Sequence, residues 1–465
     1  MTTFRIVALV ACAAAAFAQT PAQTPAQTGS QRLARDLFQQ LIEINTTDSS
    51  GSTTVAADAM ATRLKAAGFP ATDIQVLGPR PNKGNLVARF RGGPRKPLLL
   101  LAHLDVVEAR REDWSLDPFH FLERDGFFYG RGTADDKSMA AIWVANLIRL
   151  KQEGFHPDRD IILALTAGEE SGVDNGVEWL LTNHRALIDA EVCLNEGGSG
   201  QLKNGKRILN AVQPSEKVFQ SFRLEVKNPG GHSSRPRKDN AIYALADGLG
   251  RLEHYDFPVR LNEVTRTYFE RMANVEGGQT GKDMSAVTHS PPDASAVARL
   301  SENAYYNALM RTTCVATQLE GGHAENALPQ TARAVVNCRI LPGESPAEVQ
   351  RTIVGVLADG KVSVTPMQPA KPSDPSPLSP AIMRPIESIT ASMWPGVPVV
   401  PMMSTGATDS LYLRRAGVAA YGVSGLFEDV DDVRMHGKDE RIGVREFFEG
   451  QEFLYRLIQA LASGK

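Results

Sequence analysis

Cysteine is scarce in this chain, 4 in 465 residues, so a disulfide framework is excluded as its main source of stability. Excess charge is missing as well. The 50 Lys and Arg nearly balance the 53 Asp and Glu, which removes the electrostatic case for nucleic acid or an anionic membrane as partner. Long apolar runs are absent beyond the N-terminus, so no stable membrane span is expected. The one apolar stretch is Ile6 to Phe17, preceded by Arg5 and too short to anchor in a bilayer. With Ala16-Phe17-Ala18 as a small-x-small cleavage site, residues 1–18 read as an export signal of a periplasmic or secreted protein. Leu9-Val10-Ala11-Cys12 resembles a lipobox, but Cys12 lies very early for lipid anchoring. Gln19 to Thr28 is a Gln-Thr-Pro-Ala repeat that cannot build a core, so residues 19–30 read as a tether.

What is present is enough apolar residue, 42%, to bury more than one core in a chain of this length. Helical spacing marks Gln31 to Ile44, Val55 to Ala67, Ser138 to Lys151 and Val177 to Asn183. Apolar runs mark strands at Asn85 to Phe90, Leu98 to Ala102, Ile161 to Leu165 and Val192 to Leu194. This alternation predicts an α/β sandwich with a largely parallel sheet. Near Pro214 the pattern changes, and Phe222, Leu224 and Val226 alternate with polar residues as in a sheet with one wet face. The order that follows is βαββαβ, a ferredoxin-like α+β unit, with His254 to Tyr306 as a helical elaboration. Pro369 to Pro380 reads as the return linker, after which Val397 to Pro401 and Val418 to Val423 resume the α/β pattern. The expected organisation is a catalytic domain in two parts, residues 31–213 and 371–465, interrupted by an insert, residues 214–370. Three cysteines remain after the signal. Cys193 reads as an inert core residue. Cys314 and Cys338 would face each other in a hairpin, where a disulfide and two buried thiols fit equally well.

Acidic residues and histidines stand in clusters, most of them just after apolar runs. His103 and Asp105 end one; Asp135-Asp136 follow a Gly-Arg-Gly turn; Glu169-Glu170 and Glu196 follow two more; His436 comes late. Such convergence at the carboxyl edge of an α/β sheet suits a metal site better than a core. Two divalent cations about 3.5–4 Å apart need a bridging carboxylate and separate terminal ligands. Asp135 can bridge, His103 and Glu196 can hold one cation, and Glu170 and His436 the other. Glu169 remains free as the general base. Asp105 is placed to accept the second imidazole N–H of His103. Taken singly, each cluster has a plainer explanation: Asp135-Asp136 as a turn or helix cap, Glu169-Glu170 as a solvated face.

Ala102-His103-Leu104-Asp105-Val106-Val107, Gly130-Arg131-Gly132-Thr133-Ala134-Asp135-Asp136-Lys137 and Ala167-Gly168-Glu169-Glu170-Ser171-Gly172 together resemble the dinuclear zinc hydrolases that include glutamate carboxypeptidase, carboxypeptidase S, succinyl-diaminopimelate desuccinylase, acetylornithine deacetylase and aminoacylase. The resemblance runs from about Gln31 to the C-terminus. It implies a zinc-exopeptidase-like fold whose insert is a lid or dimerisation domain. It also implies two zinc ions (cobalt or manganese as alternatives) on His103, Asp135, Glu170, Glu196 and His436, with Asp135 rather than Asp136 bridging. Glu169 is then the base and Asp105 the support of His103. Glu at position 196 goes with carboxypeptidase- and deacylase-type members and against an aminopeptidase. Asn228 to Pro236 resembles the family's lid motif, which implies that His232 steadies the oxyanion, in dimeric members that of the partner subunit. By the same resemblance Asn326 and Arg339 bind the substrate carboxylate, and Thr405 and Gly406 belong to a loop at the substrate terminus. Thr408 and Asp409 in that loop also read as helix caps. The implied function is hydrolysis of an amide next to a free carboxylate, most specifically as a carboxypeptidase. N-acyl-amino-acid hydrolysis and dipeptidase activity are the alternatives. A non-catalytic metal-binding protein would have little reason to keep Glu169 beside a full ligand set.

Overall fold

The computed structural model describes residues 27–463; the signal segment, Cys12 and most of the tether lie outside them. The first helix, Gly29–Ile42, starts at a capping box in which the Thr28 hydroxyl accepts from Gln31 N at 3.2 Å. The centre of the molecule is a mixed sheet whose core strands are parallel. The extended segment Asn85–His103 folds back around Gly92-Gly93 and flanks Arg159–Thr166 on both sides, with Leu86 facing Leu165 in its first half and Leu98 facing Ile161 in its second. Val192–Asn195 lines up beside Leu98–Leu100, and Ala419–Gly422 beside Val192–Asn195, both in parallel register.

Period-two alternation splits these strands between two cores. Leu98, Leu100, Ala102, Ile161, Leu163 and Leu165 face the helices Gly29–Ile42, Thr53–Ala66, Lys137–Gln152 and Val444–Leu461. Leu99, Leu101, Ile162 and Ala164 face Gly176–Asn183 and Ser410–Arg415. Helices on both faces make this the expected α/β sandwich. Within the first core Phe38 is fully buried and stacks on Phe447, with centroids 4.7 Å apart, while Phe121 and Phe128 meet it edge-on.

The insert is a four-stranded antiparallel sheet in the order Thr313–Gly321, Thr331–Ile340, Val218–Lys227, Val362–Pro366, with the helices Ala241–Glu253 and Pro346–Leu357 on one side. In chain order that is βαββαβ. Cys314 faces Cys338 across the first two strands and the pair is a disulfide, which decides between the two expectations; Cys193 is free and buried. The helices Glu263–Glu276, Gly278–Val287, Ala294–Ser301 and Ala304–Met310 lie within the insert in chain order but not in packing. Val264, Phe269 and Met272 bury themselves with Leu209, Val400 and Met403, which belong to the strands Lys206–Glu216 and Val399–Ser404 of the catalytic body. The return segment carries no helix or strand from Pro369 until a helix with Pro at its first turn begins at Pro380. No helix among the described residues is long and apolar enough to cross a membrane.

Phe38→Ala removes a ring that its three aromatic neighbours cannot close over, and is expected to destabilise the fold by about 3–5 kcal/mol. A lowered urea midpoint at unchanged slope would show it.

Candidate dinuclear metal centre

The ligands reach one another because neighbouring parallel strands end together. His103 closes Asn85–His103, and Glu196 follows Val192–Asn195 directly. Beyond Arg159–Thr166 the chain turns sharply at Gly168, whose φ is +74° and where a Cβ would lie 2.7 Å from Val173 O; only glycine lets Glu169 and Glu170 turn back into the site. Asp135 and His436 come from outside the parallel sheet. A small sheet of Leu122–Arg124, Phe127–Tyr129 and Arg441–Gly443 holds their two loops side by side. Glu440 then ties them together. Its carboxylate accepts from the backbone N–H of Gly132, Ala134 and Asp135 at 3.1, 2.7 and 3.2 Å, and from Arg131 at 2.6 Å. Both side chains of that ion pair are almost wholly buried. Sequence reading passed over Glu440 and Arg131. The available signal was an acid four residues after His436 and a base four residues before Asp135.

Asp135 sits at the centre. Its Oδ1 lies 2.9 Å from His103 Nε2 and its Oδ2 lies 3.0 Å from His436 Nε2. Glu170 Oε2 is 3.2 Å from the same His436 nitrogen, and Glu196 Oε2 is 3.9 Å from His103 Nε2. Each oxygen of one carboxylate therefore serves a separate imidazole, and each imidazole has a further carboxylate beside it. That is a donor set for two cations sharing Asp135. Two groupings of ligand atoms fall within 4.8 Å of one another, His103-Asp135-Glu170 and His103-Glu169-Glu196. The buried Glu170 Oε1 has no protein partner, as expected of an oxygen kept for a cation. The residues thus fit a pair of divalent ions.

Asp105 departs from expectation in one respect. Its backbone carbonyl, not its carboxylate, accepts from His103 Nδ1 at 2.9 Å, and the carboxylate stands 3.8 Å off. The reason is that both carboxylate oxygens accept from the N–H groups of Glu169 and Glu170, at 3.2 and 3.0 Å. Asp105 holds the Glu169-Glu170 turn as well as the histidine. Asp136 is the N-cap of Lys137–Gln152 but makes no cap bond, whereas the Thr408 hydroxyl does accept from Ser410 N at 3.2 Å.

Asp135, Glu169, Glu170, Glu196 and His436 line a cavity of about 1000 Å³ together with Arg339 and Gly406. Arg339 stacks over Phe219 with its guanidinium carbon 4.8 Å from the ring centroid. Thr405 is half-buried in the same loop as Gly406 but does not line the cavity. His232 and Asn326 do not line it either. They are exposed neighbours, since His232 pairs with Ala327 and Ser233 N donates to Asn326 O at 3.1 Å. The cavity floor holds a buried pair that sequence reading did not single out: Glu216 takes Arg414 at 2.8 Å and the Thr408 hydroxyl at 2.9 Å, fixing the Ser404 to Asp409 loop.

The ligands compete for protons. Burial pushes the carboxyls of Glu169 and Glu196 well above the usual range. Hydrogen bonds to Asp135 and Glu170 lift the His436 imidazole to about 10. Burial opposes a charge on His103, but Asp135 and Glu196 still raise it well above its ordinary value. Asp135, hydrogen-bonded to both imidazoles, is held low despite its burial. A cation needs these groups deprotonated, so binding must release protons and must strengthen as pH rises. Titration calorimetry with zinc in buffers of different ionisation enthalpy should show net proton release near pH 7. Heats independent of buffer would contradict it.

Residues 99–460 match the family model described as Peptidase family M20/M25/M40. The chain is 31% identical over 377 residues to the human "N-fatty-acyl-amino acid synthase/hydrolase PM20D1", covering 78% of this chain and 74% of that protein. It is 29% identical to the "Probable carboxypeptidase S-like 2" of Dictyostelium discoideum, covering 78% and 71%. In fold it is similar to an M20 family metallo-carboxypeptidase from Sulfolobus solfataricus, with a TM-score of 0.67 at 16% identity, covering 92% of this chain and 99% of that one. With a complete set of metal donors at the edge of the matching fold, the chain belongs to the M20/M25/M40 peptidase family and is a metal-dependent amide hydrolase.

Proposed function

We propose that this hydrolase releases C-terminal amino acids from peptides, using zinc, and that it works in an exported, periplasmic or secreted setting. The observation that carries the substrate reading is Arg339. Among the described residues its guanidinium has no acidic partner; burial alone acts on it, lowering its pKa, and it lines the same cavity as the metal ligands. A half-buried cation without a counter-ion, held rigid on Phe219, is suited to a substrate carboxylate. Imidazole and carboxylate donors in this arrangement suit zinc. The Cys314–Cys338 disulfide fits an oxidising compartment and the export signal at residues 1–18.

His103, Asp135, Glu170, Glu196 and His436 would hold two cations, which would supply polarisation of the scissile carbonyl and a more acidic water. Glu169 takes the proton of that water and passes it to the leaving amine. Asp105 keeps Glu169 in reach by holding its backbone N–H. Arg339 fixes the carboxylate of the leaving amino acid, and the Thr405–Gly406 loop flanks the substrate terminus. His232 and Asn326, exposed on the insert, would serve the cavity of a second copy. This makes the insert a lid and its edge strand Thr313–Gly321 a dimerisation surface.

A second reading is hydrolysis of N-acyl amino acids, favoured by the name of the human relative. A paired panel separates the two: peptides with free C-termini against N-acyl amino acids of short and long chain, after chelation and metal restoration. C-terminal residues released from the peptides support the first reading, and preference for the acyl series supports the second. Glu169→Ala should lower kcat about 10²–10⁴-fold with the metal content retained. Arg339→Ala should raise KM roughly 10- to 100-fold, as expected when a charged hydrogen bond is lost, with a smaller change in kcat. An equal loss from Arg339→Ala on a substrate amidated at its carboxylate would refute the assignment.

A further inference from the structure

Apart from the metal ligands and their immediate neighbours, the acids lining the cavity are accounted for. Glu216 has Arg414 and Thr408, and Asp409 has Asn175 and Thr166. Glu428 is different. It lies in the short strand Phe427–Asp429, where Phe427 is buried in the aromatic core and Glu428 takes the opposite face and lines the cavity. Among the described residues it has neither a hydrogen-bond nor an ion-pair partner, and it belongs to neither grouping of metal-ligand atoms. Burial, with Asp135 and Glu440 nearby, pushes its carboxyl up to about 7. Keeping a half-buried carboxyl without a partner costs stability, so a partner from outside the chain is the natural explanation.

Lys217 and Asp409 also line the cavity but have hydrogen-bond partners, so Arg339 and Glu428 are its charge-bearing groups outside the metal centre with neither a hydrogen-bond nor an ion-pair partner among the described residues. Arg339 comes from the insert, and Glu428 comes from the catalytic body. If Arg339 takes the carboxylate of the leaving amino acid, the charge left for Glu428 is a cation on the acyl side. We propose that Glu428 is a specificity-determining residue that binds a protonated amine on the acyl side of the scissile bond, so that the preferred substrate is a short free peptide, a zwitterion, rather than an N-blocked one. This rests on the amide-hydrolase reading above and narrows its substrate class. An acyl chain without a cation would leave Glu428 buried beneath it and unpaired, which disfavours the long-chain N-acyl series.

The test is the ratio of kcat/KM for a dipeptide with a free amino terminus to that for its N-acetyl counterpart with the same C-terminal residue. It would be measured on the full zinc-loaded chain for the wild type, Glu428→Gln and Glu428→Asp. The wild-type ratio should exceed one. Glu428→Gln should lower it at least tenfold, mainly through KM of the free dipeptide, and Glu428→Asp should keep most of it. A merely structural role would lower both substrates together, and thermal melts would show whether the variants fold. A wild-type preference for the N-acetyl compound, or a ratio unmoved by Glu428→Gln, overturns the proposal and leaves the hydrolase reading standing. No turnover of either compound by the wild type overturns both.

Discussion

One carboxylate shared between two imidazoles sets the terms for the rest of this molecule. Asp135 turns one oxygen to His103 and the other to His436, at 2.9 and 3.0 Å. Glu169, Glu170 and Glu196 crowd against the same pair. So many acids in a partly buried space repel one another and lose hydration, and two cations relieve both costs. Every structural device nearby serves to hold this unfavourable gathering in place. Asp105 spends its carboxylate on the backbone of the Glu169-Glu170 turn. Glu440 spends its own on the backbone of the Asp135 loop. His436 adopts a left-handed φ of 60°, a conformation costing about 1–2 kcal/mol outside glycine, and such strain is characteristic of a residue aimed at a site.

The two supporting acids work alike. Each is buried, and each accepts from backbone N–H groups of a loop whose own side chains are needed elsewhere. Glu440 has Arg131 as its counter-ion. Glu216 plays the same part under the Ser404 to Asp409 loop, with Arg414 as counter-ion. A loop fixed through its backbone leaves its side chains free for ligand or substrate, and a helix or strand could not present so many groups toward one point. The Asp135 loop and the Ser404 to Asp409 loop are therefore each fixed by a buried ion pair. Breaking such a pair by removing one partner leaves a buried charge and is far more damaging than replacing both.

The parts of the fold legible in the sequence are those with strong periodicity. Leu98 to Ala102, Ile161 to Leu165 and Val192 to Leu194 announce buried parallel strands because both of their faces are covered, and the acids and His103 beyond them announce the site. The βαββαβ order of the insert is legible for the same reason. The small sheet that sets Asp135 beside His436 is not, since strands of three residues carry no pattern and their pairing spans most of the chain. The attachment of Glu263–Met310 to the catalytic body is equally hidden, because an amphipathic helix shows that it has a buried face but not what covers it. Glu440 and Glu428 look like any solvated acid until burial is known. The disulfide needed the register of the hairpin, which places Cys314 directly opposite Cys338.

Chemistry and recognition are divided between two bodies. All five candidate metal ligands and Glu169 belong to the body around the parallel sheet, whereas Arg339 and Phe219 belong to the insert. The bodies join where the strand Lys206–Glu216 passes through Lys217 into Val218–Lys227. Lys217 is buried at that junction and donates to Arg311 O at 2.7 Å and to the Thr313 hydroxyl at 3.2 Å, while its N–H donates to Ser404 O at 2.9 Å. Thr313 stands opposite Arg339, and Arg339 opposite Phe219, so the same short stretch of sheet carries both the junction and the cavity wall that holds Arg339. A cavity whose lining charges come from two bodies gains most from a stiff connection at this point, because their spacing is then fixed before anything binds.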